Sequence, residues 1–455
     1  MDLQRGLKWL KENEQMLADA SKQVWDTPEV GFQEEKSAAF LADILEQAGF
    51  DVERSYAEIP TAFRATFGKG KPVIGLLAEY DALPGMSQKV QTTQEPIEVG
   101  GAGHGCGHNL IGGTMLTVAL SLKEAMDSEE DMTIVYYGSP AEELLVGKGF
   151  MARAGAFTEL DLAITMHPWV SNYVAMSTMT ALESGKFHFY GTTAHAAADP
   201  WNGRSALDAV ELMDVAANYL REHVTDDVRI HYAITEGGIA PNIVPDKASV
   251  LYYVRAQYRS SVMDTFDRIE KCAEGAALMT GTRYELERKG GCYEVMANEV
   301  LSEVLNEALL AAEPPVYTQA ELDFAEALNK TSPKYEAAAG QPGYEPISTG
   351  VKEMYRGPVG ASSDVGDVSH IVPLVYIMAA TQNSLAPNHS WHITACAGHS
   401  IGQKGMLYSG RAILGFVDRV LKDPSLIVKA KAEFDGNTRD NPYQCPITEE
   451  MTIPE

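Results

Sequence analysis

The first third of the chain alternates between helical stripes and short apolar runs. The stretch KSAAFLADILEQAGF carries apolar residues at helical spacing up to Gly49, and PVIGLLAEYDALPG is an apolar run closed by a turn. A helix is predicted over residues 112–125, followed by the strands MTIVYYGSP and LDLAITMHP. Strands that are apolar on both faces and alternate with helices predict an α/β fold, with a mostly parallel sheet covered by helices on both sides.

The pattern changes near residue 184. A strand GKFHFYG, a helix SALDAVELMDVAANYLREH, the strands VRIHYAITEGG and ASVLYYVRAQ, a helix VMDTFDRIEKCAEGAALMTG and a strand TRYELERKG follow one another. This βαββαβ order is that of a ferredoxin-like unit. Because 455 residues exceed what one core usually organises, we predict a ferredoxin-like domain over residues 183–295, inserted into a catalytic domain made of residues 1–182 and 296–455.

The remainder of the chain predicts a return to the first domain. A helix is expected over 299–312, followed by a stretch rich in Pro, Gly and Tyr, 313–358, for which we expect little regular structure. The run PLVYIMAA predicts a further strand of the sheet, and helical stripes over 400–422 and 425–434 end the pattern.

Charge and cysteine content narrow the possible partners. The net charge of −27 opposes binding to nucleic acid or to an anionic membrane surface. The N-terminal segment lacks the apolar core of a signal peptide, and no window reaches the ~18 apolar residues of a membrane span. The five cysteines are an odd and scattered set, which indicates reduced thiols. These features predict a cytoplasmic protein without nucleic acid or membrane partners.

Candidate chemistry begins in the stretch GAGHGCGHNL. Cys106 and His108 can face one cluster if the backbone turns tightly, which the surrounding glycines allow. A lone C-x-H is a weak signal. Glu142 and Glu143, however, follow a predicted buried strand, and adjacent carboxylates there are costly unless a cation or a shared proton relieves them.

Two histidines complete a candidate metal site. His167 follows a predicted strand in MHP, and His389 lies in the polar turn LAPNHSWH. Each alone would be interpreted as a structural histidine. Together with the earlier residues they offer N, O and S ligands to two divalent cations ~4 Å apart; the predicted ligands are Cys106, His108, Glu143, His167 and His389. Thiolate and imidazole suit zinc, whereas the carboxylate leaves manganese open.

Other polar residues near these ligands receive separate roles. Glu142 is the candidate general base, which takes a proton from water and later delivers it to the leaving amine. Asp81 is a candidate acceptor for the N–H of a ligating histidine, which would fix its tautomer. Glu79 and His104 stay outside the predicted site.

The order of several motifs resembles that of the M20 metallopeptidase family, in its amidohydrolase branch. The motifs are EYDALPG, GHGCGHNL, PAEE, MHP, GTTAHAAADPWNGRSALDAV, GGIAPNIVPDKASVLYYVR, ASSDVGDVS and NHSWH, and the likeness runs from Trp25 to Leu421. The resemblance implies a dinuclear hydrolase with the five ligands named above and Glu142 as base. The cysteine at position 106 resembles the residue that the amidohydrolase branch carries there, whereas other branches carry an aspartate.

The resemblance also implies roles for the inserted domain. It would form a homodimer or a higher homo-oligomer, with a related second subunit left open, and lend residues to the neighbouring site. By motif, His195 would stabilise the tetrahedral oxyanion, while Asn242 and Arg255 would bind the substrate carboxylate. The segments 86–102 and 313–358 are expected to reshape the acyl pocket.

Three functional classes follow. The first is hydrolysis of the amide of an N-acyl or N-aroyl amino acid, such as p-aminobenzoyl-glutamate or an indoleacetyl-amino acid, with a dipeptidase as its alternative. A cysteine nucleophile is the second, but Cys106 and His108 are close along the chain for an in-line pair and Glu142 would have no task. The third class is a non-catalytic metal-binding protein, in which the candidate base Glu142 would also have no task. Ser362, Ser363 and Asp364 are expected in a loop at the site, without assigned roles.

Overall fold

The computed structural model describes residues 1–127 and 131–454 of the chain. These residues form fourteen α-helices: α1 Leu3–Glu12, α2 Glu14–Trp25, α3 Glu35–Gln47, α4 His108–Ala125, α5 Gly147–Arg153, α6 Ala206–Leu220, α7 Arg259–Thr280, α8 Glu299–Ala311, α9 Gln319–Asn329, α10 Tyr335–Ala338, α11 Val365–Ser369, α12 Trp391–Ala397, α13 Ser400–Lys422 and α14 Ser425–Thr438. They also form eleven strands: β1 Asp51–Arg54, β2 Phe63–Lys69, β3 Val73–Ala78, β4 Met132–Gly138, β5 Leu162–Trp169, β6 Tyr173–Val174, β7 Ala181–Tyr190, β8 Arg229–Glu236, β9 Lys247–Ala256, β10 Arg283–Cys292 and β11 Leu374–Ala380.

The larger of two sheets has seven strands in the order β1-β2-β4-β3-β5-β11-β6. Its centre, β4, β3, β5 and β11, is parallel, whereas β1, β2 and β6 add antiparallel edges. Alternate residues of the strands enter two apolar clusters, so that Leu76 packs on one face and Leu77 on the other. The predicted mixed α/β fold with a large, mostly parallel sheet is confirmed.

The smaller sheet has four antiparallel strands in the order β10-β7-β9-β8. Along the chain its elements follow one another as β7, α6, β8, β9, α7 and β10, and we call this assembly the four-stranded unit. It has its own apolar cluster, in which Phe187 of β7 stacks near Phe266 of α7. Strand β8 is an edge strand and is mostly exposed.

The prediction of little regular structure over 313–358 was wrong in part, because α9 and α10 lie there. Thr318 and Glu321 form a reciprocal capping box at the start of α9. Ala325 and Leu328 of this helix are buried, and Ala325 packs in a small cluster with Ile401. The high Pro, Gly and Tyr content around α9 concealed its helical spacing.

No helix among residues 1–127 and 131–454 combines the length and the apolar character needed to cross a bilayer. Helix α4 begins at His108, before the predicted start at residue 112, and α14 continues to Thr438. The early start of α4 matters for the site, because it fixes His108 on the first turn of a buried helix.

Candidate active site

The predicted polar residues gather at the carboxyl ends of the parallel strands, where sheets of this kind place their chemistry. Asp81 follows β3, Glu142 and Glu143 follow β4, and His167 lies near the end of β5. His389 belongs to the loop between β11 and α12. Residues remote in sequence therefore meet at one edge of the sheet.

The first group of candidate ligands is Cys106, His108 and His167, whose ligand atoms all lie within 4.8 Å of one another. Gly107 has a φ of 83°, which lets the chain turn so that its two neighbours reach the same point. His167 Nδ1 lies 2.8 Å from the carbonyl oxygen of Pro168, which leaves Nε2 for a ligand. Burial and the nearby His108 lower the pKa of His167 to about 4, so that the ring is neutral, as metal binding requires.

The second group is Cys106, Glu143 and His389, again within 4.8 Å of one another. His389 Nε2 lies 3.9 Å from Glu143 Oε2. His389 has a φ of 47°, a left-handed conformation that is uncommon for a residue with a side chain and is typical of functional sites. The two groups share Cys106 and together contain the five predicted ligands.

Two unpaired atoms show that this donor set suits cations. His108 Nε2 and Glu143 Oε1 are buried and have no hydrogen-bond partner among the described residues. Buried polar atoms are normally bonded, so an unbonded imidazole nitrogen next to an unbonded carboxylate oxygen indicates a place for a bound ion. Burial also raises the pKa of Cys106 to about 12, opposite to the shift that activates a nucleophilic thiol.

Asp81 joins the two groups through hydrogen bonds. Its Oδ1 lies 2.7 Å from His108 Nδ1, and its Oδ2 accepts a 2.8 Å hydrogen bond from the backbone N–H of Glu143. Burial opposes ionisation of Asp81, but the pairing with His108 outweighs it and lowers the pKa of the carboxyl. Asp81 therefore holds the His108 ring with Nε2 facing the centre of the site.

Residues 75–392 match peptidase family M20/M25/M40. The chain belongs to this family. It is 37% identical to one subunit of the p-aminobenzoyl-glutamate hydrolase of Escherichia coli, over 97% of each chain. It is also 28% identical to the Xaa-Arg dipeptidase of Mus musculus, covering 99% of this chain and 94% of the relative.

The fold has a solved counterpart in a dinuclear metal-binding peptidase of the M20 family from Bacillus subtilis. The TM-score is 0.59 at 16% identity, and the match covers 90% of this chain and 99% of that structure. Membership of the M20 family confirms the predicted resemblance and the prediction of an enzyme that hydrolyses amide bonds.

Two residues of this M20 site were missed by sequence reasoning. Glu79 Oε2 lies 3.8 Å from His108 Nε2, and a third candidate metal group consists of Glu79, His108 and Glu142. Glu79 therefore lies within the site, not outside it as predicted. Lys148 is fully buried, and its Nζ lies 2.6 Å from Glu79 Oε1 and 2.7 Å from Asp364 Oδ1. The adjacency of Glu79 to a strand end was an available signal; a lysine within VGKGF gave none.

Glu142 lies in a short 3-10 turn, Glu142–Leu144, with a left-handed residue on each side. The flanking residues Ala141 and Leu145 have φ values of 58° and 59°. The Glu142 side chain is buried, with Oε2 3.7 Å from His108 Nε2. Burial and the neighbouring Glu79 carboxylate raise the pKa of Glu142 well above its usual range.

A cavity of about 830 Å³ opens onto the candidate ligands. Arg255 of the four-stranded unit lines it, and its Nη1 donates a 3.2 Å hydrogen bond to Ser362 Oγ. His195 and Asn242 lie outside this lining; His195 is in a loop, where its Nδ1 accepts hydrogen bonds from the backbone N–H groups of residues 197 and 198. His104 is buried behind the site, with Nε2 3.2 Å from the carbonyl oxygen of Val24.

Proposed function

We propose that this M20 enzyme is a dinuclear metal-dependent amidohydrolase that cleaves N-acyl or N-aroyl amino acids. The observation that carries the proposal is the pair of donor groups sharing Cys106, with His108 Nε2 buried and unbonded among the described residues. Similarity to the p-aminobenzoyl-glutamate hydrolase of Escherichia coli at 37% identity supports an acyl amino acid as substrate. The dipeptidase relative is less similar, at 28% identity.

The two donor groups would each hold one divalent cation, zinc or manganese. Cys106, His108 and His167 would hold one, and Cys106, Glu143 and His389 the other. When bound, two such cations polarise the scissile carbonyl and lower the pKa of the attacking water.

The chain itself supplies the proton transfers and the orientation of the substrate. Glu142 takes the proton of the attacking water and passes it to the leaving amine nitrogen. Asp81 keeps the His108 ring in place through the 2.7 Å contact. Arg255 lines the cavity with a planar guanidinium suited to the carboxylate of the amino acid.

The four-stranded unit, which begins with β7 at Ala181, would be the ferredoxin-like dimerisation domain predicted over residues 183–295 and inserted between catalytic segments 1–182 and 296–455. The strand order β10-β7-β9-β8 with two helices supports this assignment. The position of His195 and Asn242 outside the cavity of their own chain supports their contribution to the site of a neighbouring protomer. The relative from Escherichia coli is one of two related chains of its hydrolase, which keeps a hetero-oligomer as an alternative to the homodimer. A cytoplasmic location stays a prediction.

The test is a substrate panel with metal-loaded protein. Released amine is measured for p-aminobenzoyl-glutamate, indoleacetyl-aspartate and several dipeptides, with and without a chelator. We expect the acyl amino acids to be cleaved and the chelator to abolish cleavage. Cleavage of the dipeptides alone would make the enzyme a dipeptidase, and a rate lost on alkylation but not on chelation would favour the thiol mechanism.

A variant tests the assigned base. Glu142→Ala should retain its metal by elemental analysis yet lose turnover by about 100-fold or more, the usual scale for a general base. Glu353→Gln, an exposed carboxylate on the segment 313–358, is the matched control. Undiminished turnover of Glu142→Ala would refute the mechanism.

A further inference from the structure

One part of the active-site cavity is lined by aromatic rings that the reaction does not use. Trp169 ends β5, Tyr173 begins β6, and Tyr355 comes from the segment 313–358; all three line the cavity. The rings of Tyr173 and Tyr355 have centroids 6.4 Å apart and are inclined by 67°. Inclined rings present both a face and an edge, which is the arrangement that a further aromatic ring packs against.

The backbone holds Tyr355 in this position. Residues 351–359 run beside residues 172–179, with bridges that pair Ala175 with Tyr355 and Met179 with Val359. The N–H of Met176 donates a 2.9 Å hydrogen bond to the carbonyl oxygen of Tyr355. Tyr355 remains 45% exposed, so its ring can contact a ligand without rearrangement of the chain.

Gln382 is a second and independent sign of a ligand at this cavity. This residue lines the cavity and is 1% exposed. Within the described ranges of the chain, neither its Oε1 nor its Nε2 has a hydrogen-bond partner. Gln382 is next to Trp169 in space, because the N–H of the preceding Thr381 donates a 3.1 Å hydrogen bond to the carbonyl oxygen of Trp169. A buried amide with both atoms unbonded is unusual, and it is explained if a bound molecule supplies the partner.

We propose that Trp169, Tyr173, Tyr355 and Gln382 form the acyl subsite, and that it selects an aromatic acyl group bearing a polar substituent such as an amine. The rings stack on the aroyl group, and the Gln382 amide hydrogen-bonds its substituent. This inference rests on the proposed function. It makes Tyr355, in the segment 313–358, one of the residues that determine specificity for the acyl group.

The test compares three substrates that share one amino acid: 4-aminobenzoyl-glutamate, benzoyl-glutamate and acetyl-glutamate. The wild-type enzyme should prefer them in that order by kcat/KM. Tyr355→Ala should lower the ratio of kcat/KM for benzoyl-glutamate over acetyl-glutamate by about tenfold, the upper range for an aromatic contact. Tyr355→Phe, which keeps the ring, should leave the ratio unchanged.

A second variant isolates the polar contact. Gln382→Met has a similar volume and no hydrogen-bonding amide, and it should lower the ratio for 4-aminobenzoyl-glutamate over benzoyl-glutamate roughly fivefold. Because the readout is a ratio of substrates, a general loss of activity or stability does not move it.

The outcomes separate the two proposals. Suppose that the wild type cleaves all three substrates and that neither Tyr355→Ala nor Gln382→Met changes its kcat/KM ratio. That result would overturn the acyl subsite and leave the proposed function intact. Wild-type enzyme that is loaded with metal and cleaves neither these three substrates nor indoleacetyl-aspartate would overturn the proposed function itself.

Discussion

Lys148 is a charged side chain without access to solvent, held between two carboxylates. Its ammonium lies 2.6 Å from Glu79 and 2.7 Å from Asp364. Lys148→Met would leave both acids buried and unpaired, so we expect the free energy of unfolding to fall by about 3–5 kcal/mol. Urea denaturation measures the change.

The matched control for this variant is Lys431→Met. Lys431 pairs with Asp435 on the surface of α14, where an ion pair contributes less than about 1 kcal/mol. A Lys148→Met protein as stable as this control would show that the buried charges rearrange or are neutral.

Asp367 predicts a pH dependence of stability. Burial raises the pKa of Asp367 to about 8, although the Tyr443 hydroxyl, which donates to it at 2.9 Å, acts in the other direction. The folded chain therefore keeps a proton that the unfolded chain releases near its ordinary pKa of about 4. The free energy of unfolding should fall as the pH rises between these two values.

The variant Asp367→Asn stays neutral at every pH and should lack this contribution. Its stability relative to the wild type is expected to increase from about pH 5 to about pH 8, measured by urea denaturation at both values. A difference between the two proteins that does not change with pH would contradict the shift.

The candidate metal ligands could be predicted from the sequence, but the buried charged pair next to them could not. Cys106 and His108 stand in a glycine-rich motif, and Glu143 follows an apolar strand, so their chemistry is visible from neighbours in sequence. Lys148 is visible only in three dimensions, because its partner Asp364 lies 216 residues further along the chain. Pairs of this kind are set by packing and leave no local pattern.

At the scale of elements, the period of apolar residues was sufficient for the parallel strands and for seven of the fourteen helices, α3, α4, α6, α7, α8, α13 and α14. It failed for α9, where the helix depends on its first turn. Thr318 accepts a hydrogen bond from the N–H of Glu321, and the Glu321 carboxylate accepts one from the N–H of Thr318. Glu321 also bonds Ser400 and Lys404 of α13, a contact that no local pattern predicts.

The cap of α9 can be tested directly. Thr318→Ala removes the hydroxyl that accepts from the helix and should lower the free energy of unfolding by about 1 kcal/mol. Thr318→Ser retains the hydroxyl and is expected to stay within a few tenths of a kcal/mol of the wild type. Equal losses in both variants would show that the methyl group, and not the cap, stabilises this end of the helix.

At the scale of the whole molecule, the placement of His195 predicts complementation between inactive chains. His195→Ala and Glu142→Ala should each be inactive alone. If His195 serves the partner's site, a co-expressed mixture contains heterodimers with one intact site. About a quarter of the wild-type activity should then return, because half the dimers are mixed and each has one of two sites.

The same mixture can contradict this arrangement. If His195 served its own chain, every site in the mixed dimer would lack one residue, and no activity would return. Light scattering on the mixture establishes that dimers are present. A control mixture of wild type with the Glu142→Ala, His195→Ala double variant shows how much activity remains when half of the chains lack both residues.

Strand β11 lies between β5 and β6, yet it is synthesised about 200 residues after them. While the ribosome translates the intervening codons, the edge of β5 has no neighbour, whereas the four-stranded unit already has its last strand at Cys292. The unit can therefore mature first on the nascent polypeptide. The set of candidate ligands is complete only after Ala380 and then His389 have emerged, so a truncated translation product would carry a complete four-stranded unit and an incomplete candidate metal site.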